Sequence, residues 1–207
     1  MNKVLALFFA LSLIGSFTLN AEEEIGKVVI TKKDVRAVQA NEQRRLKRRS
    51  TILTKDVITT GDKARAQFRL NDGTLFTLGE QSEITMTDYQ FSDDKPAKAR
   101  FELVKGVFRS ITGKITQVSN PDFVINTPMG SIGIRGTDFW GGYLDENKID
   151  VILLSGEHPI IIENEFGRVE IVKPGTGVTI EKNKAPTQPY PWSDEKLARA
   201  VETITID

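Results

Sequence analysis

The chain has 207 residues, of which 39% are hydrophobic and 27% charged, and its 28 Lys plus Arg balance 28 Asp plus Glu. That is the mix of a globular chain with a core of its own, and zero net charge supplies no overall field to gather nucleic acid or an anionic membrane surface. Cysteine is absent and His158 is the single histidine, which excludes disulfides, thiolate metal sites and thiol catalysis, and nearly all imidazole chemistry.

The first residues read as a secretory signal. Lys3 is followed by the almost wholly apolar Val4 to Phe17, then by Thr18-Leu19-Asn20-Ala21 and the acidic Glu22-Glu23-Glu24. A charged start, an apolar run and a small residue before a polar segment are the parts of such a signal. Residues 1–21 are therefore expected to be removed near Ala21, although Leu19 is bulkier than the residue preferred at that point. The run is shorter than the ~20 residues that span a bilayer, and no later stretch is apolar enough. The expected mature chain has no transmembrane helix and is periplasmic or secreted.

From Gly26 onward the pattern has strand period. Strands are expected near Lys27–Thr31 and Asp34–Gln39, followed by the basic run Arg44-Arg45-Leu46-Lys47-Arg48-Arg49. Ala64 to Leu70 alternates most cleanly, with Ala64, Ala66, Phe68 and Leu70 on one face and Arg65, Gln67 and Arg69 on the other. Asn71-Asp72-Gly73 is a turn, and Thr74–Leu78 returns as the hairpin partner. Further strands are expected at Glu83–Thr87, Arg100–Val104, Val107–Ile111, Phe123–Asn126, Ser131–Arg135, Phe139–Leu144 and Lys148–Leu154. Pro159–Glu163, Arg168–Val172 and Gly177–Glu181 close the series as a meander. Many short strands with turn signals and no helix-period stretch predict an all-β domain over residues 26–181. Its form is expected to be a jelly-roll-like sandwich or a solenoid-like β domain. The tail, residues 183–207, is proline-rich through Pro-Tyr-Pro-Trp; Ser193-Asp194-Glu195 then caps a short C-terminal helix.

Three groups of residues resemble the FecR domain. They are Gly61-Asp62 with Arg65-Ala66, Leu70-Asn71-Asp72-Gly73-Thr74 and Leu78; Leu103-Val104-Lys105-Gly106-Val107-Phe108-Arg109 with Thr112-Gly113; and Phe123 to Pro128 with Gly133-Ile134-Arg135-Gly136-Thr137. The resemblance covers about Lys55 to Ile180. It implies a mainly β periplasmic domain of the kind that sits between an anti-sigma segment and an outer-membrane transporter. No anti-sigma segment precedes the apolar run, so a stand-alone exported member is expected.

The motif residues Gly73, Gly106, Thr127, Pro128, Gly133, Arg135, Gly136 and Thr137 are read as structural. The glycines sit where strands turn or approach closely, and Thr127-Pro128 ends a strand. Arg135 is expected to clamp carbonyls or a loop, with contact to an anion or a peptide carboxylate as the alternative. His158 reads as an exposed turn residue, and Asp93-Asp94 and Asp145-Glu146 as solvated turns without calcium-loop spacing. The basic run reads as an exposed loop, or as a docking patch for an anionic partner. Tyr190 and Trp192 staple the tail to the sheet, or stack on a partner.

No catalytic or metal residue is assigned, no cofactor is expected, and the binding residues are left open. The resulting expectation is a non-catalytic protein-interaction or scaffolding module whose partner is an envelope protein and not nucleic acid. A periplasmic sensor of a small ligand such as an iron chelate or sugar is the second reading. A hydrolase of envelope polymers is the third, although nothing selects a carboxylate pair for it.

Overall fold

A computed structural model describes residues 23–92 and 95–206; the expected signal over residues 1–21 and the Asp93-Asp94 pair lie outside them. The chain forms β1 (Glu24–Lys32), β2 (Val35–Gln39), β3 (Glu42–Arg45), β4 (Thr51–Leu53), β5 (Val57–Thr60) and β6 (Arg65–Leu70). It continues with β7 (Leu75–Leu78), β8 (Glu83–Ser92), β9 (Lys95–Lys105), β10 (Val107–Ile111), β11 (Asp122–Thr127) and β12 (Gly130–Ile134). Last come β13 (Asp138–Asp145), β14 (Lys148–Ser155), β15 (Ile160–Asn164), β16 (Gly167–Ile171), β17 (Thr176–Glu181), β18 (Tyr190–Pro191) and the helix α1 (Asp194–Ile204).

These strands build two nine-stranded sheets. One runs β4-β1-β6-β7-β10-β13-β14-β17-β18, the other β3-β2-β5-β8-β9-β11-β12-β15-β16. Strand number climbs steadily along both sheets, apart from a swap at the start of each, so the chain crosses between layers while advancing along one axis. This is an all-β sandwich that winds like a solenoid; the far-strand crossings of a jelly roll are missing. Pairing is antiparallel except for β9 with β11, which is parallel.

The alternation in the sequence is what closes the layers. Ala66, Phe68 and Leu70 turn inward from β6 while Arg69 is exposed. Phe68, Phe76, Phe101, Phe108, Phe123 and Phe139 are all buried and touch in series, with ring centroids 5.3–5.5 Å apart. Phe76 and Phe101 bridge the two sheets. Burying a side chain of this size stabilises by about 1.5–3 kcal/mol, and each aromatic pair adds about 0.5–1.5 kcal/mol.

The β8–β9 hairpin is longer than the sequence pattern predicts, extended by the buried Tyr89 and by an Asp88–Lys98 ion pair of 2.5 Å. At the other end, Ser193 caps α1 by accepting from the Lys196 amide at 3.2 Å. Ala200 and Ile204 are buried and Leu197 partly so, on the outer face of the first sheet with Val107, Trp140, Ile152 and Trp192. The tail also enters that sheet, because Tyr190–Pro191 pair with Thr176–Gly177.

Candidate functional site

Members of all three groups of motif residues meet at one end of the sandwich. Asp72, 2% exposed, accepts from Thr74 Oγ1 at 2.6 Å, Tyr89 Oη at 2.9 Å and the Ile115 amide at 3.3 Å. Its backbone carbonyl takes the Lys114 amide, and Thr74 Oγ1 takes the Gly113 amide. Burial, with the Asp72 carboxylate second, pushes the Tyr89 phenol far up, so Tyr89 stays a donor. Thr112 then ties this corner to the third group. Its amide and hydroxyl both donate to the Thr137 carbonyl at 3.1 Å, and its oxygen accepts the Thr137 amide at 2.8 Å.

Of the remaining motif residues, Gly106 joins β9 to β10 with φ +83°, and a Cβ there would lie 2.4 Å from Ser82 Cα. Gly73 turns with φ +92°. Thr127 Oγ1 donates to the Gly130 carbonyl at 2.7 Å and closes the turn containing Pro128. Gly133 lies within β12, opposite Val124 and Ile161.

Arg135 is not sealed among carbonyls. It is exposed, and no hydrogen bond or ion pair engages its guanidinium among the described residues. It stands at the rim of a cleft of about 360 Å³ together with Thr112, Thr116, Gly136, Thr137, Asp138 and His158. Gly136 has φ +112°, a conformation that favours glycine, and a Cβ there would lie 3.3 Å from the His158 ring and 3.4 Å from Thr116 Oγ1, a tight approach. Asp138 is held by Arg109 through two bonds, Nε–Oδ1 at 2.8 Å and Nη2–Oδ2 at 2.7 Å. That bonding holds the Arg109 guanidinium above its ordinary range. Thr137 is 5% exposed, and its hydroxyl has no hydrogen-bond partner.

The basic run divides. Arg44 belongs to β3 and pairs with the fully buried Asp56, which also accepts the Leu53 amide at 2.8 Å; Leu46 is buried. Lys47, Arg48 and Arg49 are exposed. The tail aromatics face the protein. Trp192 meets Trp140 edge to face at 6.0 Å, and Lys196 Nζ lies 4.3 Å from the Trp192 ring centre. Lys196 also donates to the buried Asp150 at 2.6 Å and to Tyr190 Oη at 2.8 Å.

Sheet edges are the other surface able to bind. β3 is polar throughout, β4 has three residues, and β18 has two, one of them proline. β16 differs. Among the described residues it pairs with β15 alone, and it is flanked by Phe166 at 47% exposure and Val172 at 65%.

The fold and the knitted corner define a two-sheet β domain in which most buried polar side chains are tied to its own backbone and neighbours. A family model described as FecR protein matches residues 56–157, from β5 to the turn after β14, and the chain carries a FecR domain there. The match stops short of the expected Ile180. Among solved structures, two crystal structures of a candidate anti-sigma factor from Parabacteroides distasonis share the fold. They superpose with TM-scores of 0.54 and 0.53 at 14% and 15% identity, covering 69% of this chain. The chain spans 62% of that protein's length in each. No curated protein matches the sequence. Among the described residues, no helix is long and apolar enough to cross a membrane.

Proposed function

We propose that this protein is an exported, non-catalytic FecR-domain module of the cell envelope that binds a protein partner by accepting an extended segment as an added strand on β16. The observation that carries the reading is the unpaired outer edge of Gly167–Ile171 between two exposed apolar residues, Phe166 and Val172. Strand addition draws affinity from main-chain hydrogen bonds and selectivity from the flanking side chains. An open edge is ordinarily blunted by charge, brevity or proline, as at β3, β4 and β18, whereas the charges of β16, Arg168 and Glu170, bond each other at 3.3 Å and alternate with the buried Val169 and Ile171. A role in regulation accords with the FecR domain and with the description of the Parabacteroides distasonis protein. Export to the envelope rests on the reading of residues 1–21.

The test is affinity capture from an envelope fraction with wild type and with Val172→Asp and Phe166→Asp. A partner retained by wild type and lost at least tenfold by either variant, with unchanged melting, is the expected result. A partner held equally by all three, or none, contradicts the proposal.

A further inference from the structure

We propose that the cleft at Arg135 is a binding site for a carboxylate group. This does not rest on the β16 edge. The guanidinium is a charged donor at the rim with no partner among the described residues, while the neighbouring Arg109 is already engaged by Asp138. A guanidinium fork matches the two oxygens of a carboxylate. Thr137 lines the same cleft, with its amide and carbonyl both bonded to Thr112 and its hydroxyl sealed from solvent without a partner among the described residues.

The surroundings select the kind of anion. Asp138 lines the same cleft with its side chain 15% exposed. Its negative charge disfavours a doubly charged phosphate more than a singly charged carboxylate. The Gly136 and Gly156 positions, with φ +112° and +129°, bring bare backbone to the cleft wall. His158 and Gln117 add polar atoms at the rim. The carboxylate could belong to a small organic acid or to the C-terminus of a peptide, and the two are separable by experiment.

Backbone amide resonances of residues 135–137 and 156–158 would be followed while titrating four probes at constant ionic strength. These are acetate, an N-acetylated tripeptide with a free C-terminus, the same tripeptide as its amide, and inorganic phosphate. Saturable shifts with acetate, with the free-acid peptide, or with both are expected, and none with the amide. Acetate alone would mark a small acid, and the peptide alone a chain terminus. Arg135→Gln should weaken binding at least tenfold with unchanged melting, because the side chain has no internal bond to lose. Thr137→Val should leave binding within about twofold and raise the melting temperature, since it removes an unpartnered hydroxyl sealed from the cleft while keeping shape. The proposal is overturned by the absence of saturable shifts, equal binding of acid and amide, tighter binding of phosphate, or an Arg135→Gln variant that binds as wild type.

Discussion

Replacing Asp72 by alanine strips one buried acceptor from the hydroxyls of Thr74 and Tyr89 and the amide of Ile115. Hydrogen bonds to a charged group and the desolvation of orphaned donors set the scale, so Asp72→Ala should cost about 3–4 kcal/mol in urea denaturation, with the m-value unchanged. Tyr89 supplies a pH signature of the same corner. Its folded pKa lies above the ordinary 10.0, so above that pH the unfolded chain loses the proton first. The contribution is fully present below about pH 10 and is lost as pH rises beyond it. Tyr89→Phe should therefore flatten the alkaline limb of the stability curve relative to wild type; parallel limbs would contradict this. The turn at Asn71-Asp72-Gly73 was readable locally, but the role of Asp72 was not. Its partners Tyr89 and Ile115 lie 17 and 43 residues away, with no sequence pattern joining them. Arg135 shows the opposite failure. Flanking glycines suggested room for a clamp, and they instead leave the guanidinium in the open.

At the scale of elements, strands with one wet and one buried face were legible, and those lacking a buried face were not. Ala64 to Leu70 alternates in the sequence and is β6 in the structure, starting at Arg65. Glu42-Gln43-Arg44-Arg45 has no apolar position to report its pleat, and becomes β3 only by pairing with β2 and by the Arg44–Asp56 contact. β18 is too short to show any period. The tail and α1 are held by the Lys196–Asp150 bond and by Trp192 against Trp140. Lys196→Ala leaves the carboxylate of Asp150, 0% exposed, without its cation. Breaking a buried pair in this way costs about 3 kcal/mol. Much of that loss should fall on the docking of α1, so trypsin should cut after Arg199 well before the sandwich unfolds. Cleavage at Arg199 that coincides with global unfolding would show that the helix and sandwich are one cooperative unit.

For the molecule as a whole, winding along one axis has a consequence for binding. Each sheet begins and ends in an edge, and three of the four are blunted by polarity, brevity or proline while β16 remains open. The sandwich class was visible in the sequence because inward-facing residues recur at every other position across more than a hundred residues. The order of strands was not visible, because period-2 patterning says which side is buried and nothing about which strand lies next door. The two proposed contacts, an edge for a backbone and a cleft for a carboxylate, are separate, on a frame whose buried carboxylates are bonded to its own groups.

Hydrogen exchange at the amides of Arg168–Val172, with and without the captured envelope partner, tests the central claim most directly. Added-strand docking predicts slowed exchange confined to the outward-facing amides of β16, with β3 and β4 unchanged. Protection at β3 or across the Lys47–Arg49 loop, with β16 exchanging as in the isolated protein, would contradict it.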